Sequence, residues 1–425
     1  MVKLIRDLAS HPGIKQLGPG LVTGAADDDP SGIATYSQAG AQLGYNMLWT
    51  VVFTYPLMVA IQMISARLGC ITGRGLAANI KAAFPRSVLY GIVALLLAAN
   101  TINIAADIAA MGEAMRLLVG GSARVHAVIV GLLCLMLQVF LRYERYVGYL
   151  KWLTLVLLSY VAVVFTVHVP WGEVTRQLVF PALHFDHDTI LIIVALFGTT
   201  ISPYLFFWQA AQEMEELRSI SRNGPAVLPH AEHVAREHLR RIRWDTYLGM
   251  GFSNLVAFFI ILSAAATLHR AGIMNIQTSA QAAEALRPLG GAATFLLFSL
   301  GIVGTGMLAV PVLAGSAAYA VTESFDWKTG LDMRLHEAKE FYAIIALATV
   351  GGVLLNFTRL DPIRALLWSA DVNCVIAVPI MAVMMRLAAD PMIMGALAIR
   401  SRLRNLGWAA TVLMALTVGA MFVTT

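Results

Sequence analysis

Residues 18–43 read GPGLVTGAADDDPSGIATYSQAGAQL, with three consecutive carboxylates, Asp27-Asp28-Asp29, set in an otherwise small and apolar stretch. Carboxylates inside a membrane helix cost roughly 3 kcal/mol each on insertion scales. Pro30 and the flanking glycines interrupt the helix at the same point. Irregular backbone at membrane depth is tolerated only where it lines a protein cavity. An acidic helix break therefore reads first as a cation site.

The rest of the chain supports a membrane setting. Of its 425 residues 58% are hydrophobic and 13% charged, about half the charge of a soluble domain. The start, MVKLIRDLASHPGIK, has no apolar core and no small-residue cleavage site, so insertion is expected from the first membrane helix itself. Cys70, Cys134 and Cys374 are far apart and form no CxxC pair, which reads as packing residues. The net charge of +5 fits basic loops on one membrane face better than a nucleic-acid surface.

A span needs roughly 20 apolar residues. Eleven candidates lie at about 17–43, 46–70, 87–115, 125–141, 147–168, 189–212, 245–268, 293–320, 341–358, 362–386 and 405–424. Short interfacial helices are expected at 74–85 and 277–287. Alternating the loops with the N-terminus inside puts 23 of the 30 Lys and Arg residues on the inner side. That asymmetry predicts a cytoplasmic N-terminus.

A second break is expected in span six, at Gly198-Thr199-Thr200-Ile201-Ser202-Pro203-Tyr204. Two interrupted helices five spans apart predict two inverted five-helix units with a site between them near the midplane. The expected organisation is a tail (1–16), a first unit (17–168), an outer linker (169–188), a second unit (189–386), and a connecting loop with span eleven (387–425).

Several segments then carry a resemblance. The first break with its GPG start and QAGA continuation, ISARLGCITG in span two, AADIAAMGEA in span three, GTTISPYLFFWQ in span six, GMGFSNLVAFFIIL in span seven and VPIMAVMM in span ten together resemble the Nramp family of divalent metal transporters. The resemblance implies an all-α LeuT-type fold of eleven helices with broken helices 1 and 6. It also implies transport of Mn2+ or Fe2+ with protons. Asp29 matches the family's metal-binding Asp. The family's Asn three residues on is Gly32, its Met-Pro-His is Ser202-Pro203-Tyr204, and two of its span-three Glu positions hold Asn100 and Ala110, with Asp107 kept. This pattern is similar to the Nramp-related magnesium transporter branch.

The expected ligand set follows. Asp29 supplies charge, backbone oxygens near Ala26 and Thr199 supply neutral donors, and Ser202 supplies a hydroxyl in place of a thioether. Gly32 widens the site. Asn373 and Asp371 in span ten are candidates for an outer shell. Asp28 is a lesser candidate ligand and is expected to face an aqueous vestibule, and Asp27 is expected to be a vestibule or packing residue. Each has a plainer reading: Asp29 as a helix cap, Ser202 as a backbone-bonded serine, Asn373 as an interhelical partner, Asp371 as a solvent-lining acid. Asn100, Asn103 and Asp107 form one polar stripe, either packing polarity or a residual ion path. His230, His233 and His238 read as a solvated amphipathic helix, and His184 and His187 as an outer loop. Glu213, Glu215 and Glu216 end span six, attracting cations or pairing with Arg218.

The expected function is a multi-pass secondary transporter of a divalent cation in a bacterial inner (plasma) membrane. Mg2+ is favoured, Mn2+ is accepted, and proton coupling is weak or absent. The ion is cargo, and no cofactor or nucleic-acid partner is expected. The alternatives are an ordinary proton-coupled Mn2+/Fe2+ importer and a sodium-coupled amino-acid carrier of the same fold. The carrier would want an uncharged first break, against which Asp27 to Asp29 argue. Nothing resembles a nucleophile elbow, an HExxH motif or a P-loop, so an enzyme is not expected.

Overall fold

The structure, a computed structural model, describes residues 19–141, 153–182, 186–222, 232–357 and 361–424. Among these every regular element is helical. His184 and His230 lie outside the described residues, as does the side chain of His233.

Span one is two half-helices, Pro19–Asp27 and Pro30–Leu43. The interruption is set by Pro30 at the first helical position, which has no N–H to spend, and by Asp29, whose extended backbone (φ −70°, ψ 170°) cannot continue the preceding turn. Gly44, at φ +60°, ends the second half, in a conformation that costs glycine little. Span two is Leu48–Thr72, span three Arg86–Val119 and span four Ala123–Phe140. Span five is described from a 3-10 turn, Leu153–Leu157, through Leu158–Thr166, and then bends by 119° into Trp171–Val179.

Span six is also two half-helices, His187–Thr200 and Pro203–Arg222. Its non-helical link is shorter than the expected 198–204, because the helix runs through Thr200 before Pro203 stops it. Span seven, Glu232–Ala264, begins well before the expected 245, so the basic amphipathic segment and the membrane helix are one element. Span eight is Gly291–Ser324, span nine Lys339–Leu355, span ten Pro362–Ala389 and span eleven Ser401–Thr424. The interfacial helices appear as Leu76–Ala83 and Ser279–Ala283, the latter running into a 3-10 turn to Leu289.

By length and hydropathy alone, eight described stretches could cross a membrane. Helix is nonetheless described within each of the eleven expected segments. The stretch Pro30–Thr72 joins half of span one to span two across a 3-10 turn, span five is described only in part, and span nine has 17 residues. Spans four and eleven turn large apolar side chains outward, including Val125, Ile129, Met136 and Phe140, and Val412, Leu416 and Phe422. A bilayer accepts such a surface. The two broken spans are central: Tyr36, Phe197, Tyr204 and Trp208 are fully buried.

Span one lies against span seven along one parallel seam. Gly20 packs on Asp245, Gly24 on Gly249, Asp27 and Asp28 on Ser253, and Gly40 on the Ile261 carbonyl. A Cβ on Gly24 would stand 2.2 Å from the Gly249 carbonyl oxygen, so only glycine permits this approach. Asp245 also holds the free start of span one, accepting from the Gly20 amide at 2.7 Å and the Leu21 amide at 3.2 Å. Those are two of the N–H groups that a helix start leaves unpaired.

Candidate cation site

The half-helix Pro19–Asp27 ends in the first break and His187–Thr200 ends in the second, so both bring unpaired carbonyls and a partial negative charge there. Gly32 joins the breaks. A Cβ on it would lie 3.2 Å from Thr199 Oγ1 and 3.4 Å from both the Asp27 carbonyl oxygen and Asp29 Oδ1. The structure thus brings together Asp29, Gly32 and Thr199 as the sequence reading required.

Asp29 is buried, with 2% of its surface exposed. Its Oδ1 accepts from the Gly32 amide at 2.7 Å, capping the second half-helix. Its Oδ2 accepts from the Tyr204 hydroxyl at 3.3 Å, and the same hydroxyl lies 3.1 Å from the Ala26 carbonyl oxygen. One phenol therefore bridges the two oxygens singled out as charged and neutral donors. Asp29 caps the helix and still turns an oxygen into the break, so its plainer reading and its ligand reading are compatible.

Ser202 is buried and its hydroxyl meets the Gly198 and Thr199 carbonyls, each at 2.9 Å. Its proton is committed to the backbone, and only its lone pairs are left for a cation. The donors that the hydrogen bonds of the two breaks bring together are oxygens.

The vestibule reading of Asp28 is corrected, and of the two readings of Asp27, vestibule or packing, the structure shows packing. Both are buried, 1% and 0% exposed, and both meet the Ser253 hydroxyl, at 2.6 and 3.1 Å. Asp27 Oδ1 and Asp28 Oδ2 have no hydrogen-bond partner. The span seven seam, which the sequence reading did not weigh, turns them inward.

The span-three stripe divides. Asn100 donates to the Leu313 carbonyl and Ser316 of span eight, which is packing polarity. Asn103 donates to Asn373 Oδ1 at 2.9 Å, so Asn373 is engaged between helices. Asp107 is fully buried, both its carboxylate oxygens lack a hydrogen-bond partner, and it lies within electrostatic range of Asp29. Asp371 is half-buried with Oδ1 unpaired. Its neighbours Ala370 and Cys374 are the residues that face Gly198 of span six, and none of the hydrogen bonds of the break reaches Asp371. The second half-helix is anchored to span ten through Ser31, which donates to the Leu366 carbonyl at 2.8 Å and meets Ser369 Oγ at 3.0 Å.

Among the described residues no group of three or more His, Cys, Asp or Glu side chains gathers as a metal-holding set. None of Asp27, Asp28, Asp29 and Asp107 forms an ion pair there either. The centre of the molecule thus holds four buried Asp side chains, Asp27, Asp28, Asp29 and Asp107, with no ion pair among the described residues. Buried charge without a partner is strongly unfavourable.

At the basic end, Glu213 and Glu216 pair with Arg241 of span seven, not with Arg218. Glu215 accepts from the Tyr319 hydroxyl at 2.5 Å and the Leu331 amide at 2.8 Å. All three cysteines are free and buried.

The family model described as Natural resistance-associated macrophage protein-like matches residues 20–424. The chain belongs to the Nramp family. This Nramp chain is 27% identical over 407 residues to the divalent metal cation transporter MntH of Klebsiella pneumoniae, covering 92% of this chain and 90% of the relative. It is 29% identical over 320 residues to MntH of Yersinia pestis, covering 73% of this chain and 72% of that one. Among solved structures it superposes on the manganese transporter of Eremococcus coleocola with a TM-score of 0.77 at 16% identity, over 97% of this chain and 88% of that one. It also superposes on the nucleobase-cation-symport-1 family transporter Mhp1 (TM-score 0.58, 13% identity, 96% and 92% covered) and on MhsT bound to L-phenylalanine (0.59, 10%, 95% and 98%). At these identities the superpositions speak for the fold: the Nramp chain is a multi-pass, all-α membrane protein of LeuT type with helices 1 and 6 broken. Tyr204 and Ser253 are the members of its site that the sequence reading passed over.

Proposed function

We propose that this protein is a secondary transporter that moves a divalent cation across a bacterial inner membrane, with Mg2+ favoured, Mn2+ accepted and proton coupling weak or absent. The observation that carries the reading is the set of oxygens at the breaks: Asp29 Oδ2, the Ala26 and Thr199 carbonyls and the Ser202 hydroxyl. Thioethers favour transition metals, whereas carboxylate, carbonyl and water suit Mg2+ and Mn2+. Mg2+ also keeps several waters and needs only one or two carboxylates, which fits a site where Gly32 adds no side chain. The relatives' names support divalent transport as a class. The excess of Lys and Arg at one end supports a cytoplasmic N-terminus.

A second reading, proton-coupled Mn2+ or Fe2+ import, is favoured by one observation. Asp107, fully buried and unpaired near Asp29, is a group able to carry a proton. Two substitutions test the leading account. Asp29→Ala abolishes uptake of Mg2+ and Mn2+ while the protein still purifies as a folded species; uptake at the wild-type rate would remove the site. Ser202→Met shifts competition between the two ions toward Mn2+, and an unchanged ratio would show that this position does not select.

A further inference from the structure

Below the break, three helices are tied into a ring at the basic end of the molecule. Thr23 of span one donates to Gln209 Oε1 of span six. The Gln209 amide donates to Glu213 at 2.9 Å. Arg241 of span seven meets Glu213 at 3.1 Å and pairs through two nitrogens with Glu216. One turn further along span seven, Asp245 accepts from the Gly20 and Leu21 amides of span one, which closes the ring. Thr23, Gln209, Glu213 and Asp245 are all buried, at most 2% exposed, whereas the Arg241 and Glu216 side chains are 25% and 29% exposed. Arg241 is thus the member of the ring that joins spans six and seven and borders solvent.

We infer that Arg241 is a positioning residue that latches the basic-end exit shut: it holds span six to span seven, and through Gln209 and Asp245 keeps the half-helix Pro19–Asp27 seated. That half-helix loses its helical hydrogen bonds beyond Asp27, so once the ring opens only its seam with span seven still holds it. The latch lies between the cation site and the side where Lys and Arg concentrate. A cation leaving by this route must part Thr23, Gln209 and Glu213. Bidentate guanidinium–carboxylate pairing suits the task because it fixes geometry as well as charge. Truncating Arg241 removes one guanidinium from Glu213 and Glu216 together. The inference does not depend on which cation is carried.

The chain contains its own reporter. Cys70 is 2% exposed and packs with Ala66, Leu217, Ile242 and Leu239 in a small apolar cluster next to the latch, within electrostatic range of Glu213, Glu216 and Arg241. With Cys134 and Cys374 replaced by Ala, Cys70 is the sole thiol. Purified protein in nanodiscs is treated with a membrane-impermeant maleimide, and the labelling rate is followed without any cation. Arg241→Ala and Glu216→Gln each raise the rate about tenfold, within the range typical of coupling between sites. Arg241→Lys raises it less, and the exchange Arg241→Glu with Glu216→Arg returns it toward the wild-type rate. Wild-type labelling in both single variants overturns the inference. So does an exchange variant as reactive as the singles, which would mean local loosening without a specific latch. Glu216→Gln keeps the test open if Arg241→Ala does not fold, since Glu216 is partly exposed and the change is isosteric.

Discussion

Asp29 shows how one residue serves two ends. Its Oδ1 caps the second half-helix of span one, and its Oδ2 faces Tyr204 and the Ala26 carbonyl. The cap orients the carboxylate before any ion arrives, which is the preorganisation a binding site needs. Tyr204 stands where an incoming cation would meet the same two oxygens. Tyr204→Phe removes that bridge and leaves both acceptors buried without it, at a cost of about 1–3 kcal/mol. The expected outcome is a lower melting temperature in chelator, largely restored by saturating Mg2+ or Mn2+, because the ion takes over the vacated oxygens. Equal destabilisation with and without cation would place the ion elsewhere. At this scale the sequence was partly legible. The acidic residues beside Pro30 marked the break as a cation site, the choice of Asp29 within it and the notice of Gly32 came from the resemblance, and Ala26 and Thr199 came from the unwound backbone. The burial of Asp27 and Asp28 was not legible, because it depends on Ser253, more than 200 residues away.

At the scale of elements, the first span is shaped by what lies beside it. The constant spacing of Gly20, Gly24 and Asp28 against Asp245, Gly249 and Ser253 lets two parallel helices meet with backbones nearly touching. Small residues at such interfaces are the usual basis of close helix packing in membranes. Both halves of this pattern stand in the sequence at four-residue intervals, so the seam was legible in principle. It was passed over because nothing local says which helix faces which. The expected breaks, by contrast, are local events written by Pro30 and Pro203, and both appear, with the second narrower than expected. Gly24→Val forces a branched side chain into the Gly249 carbonyl. Overpacking costs about 1–3 kcal/mol or more, so a thermal melt in detergent falls by several degrees and divalent uptake falls with it. An unchanged melt would mean that the seam is looser than described.

The whole molecule joins a central, charged void in helix continuity to an apolar exterior. Spans four and eleven give lipid-facing surface, while the broken spans one and six bury their polar ends among spans three, seven and ten. Hydropathy made the eleven segments legible, because a 30 Å hydrocarbon layer imposes about 20 apolar residues per crossing. The pairing of carboxylates with hydroxyls and the ring at the basic end arise from contacts between distant segments, and composition carries no signal for them. The acidic side chains at the centre have no ion-pair partner among the described residues. The central claim is that this break takes a hard divalent ion without an obligatory proton. Uptake into proteoliposomes with a pH dye inside tests it most directly, with Mg2+ and Mn2+ offered separately and Asp29→Ala as control. The account predicts that Mg2+ enters with no matching change in internal pH, that Mn2+ also enters, and that both fluxes vanish in Asp29→Ala. Entry of Mn2+ with stoichiometric acidification, and no entry of Mg2+, would contradict it.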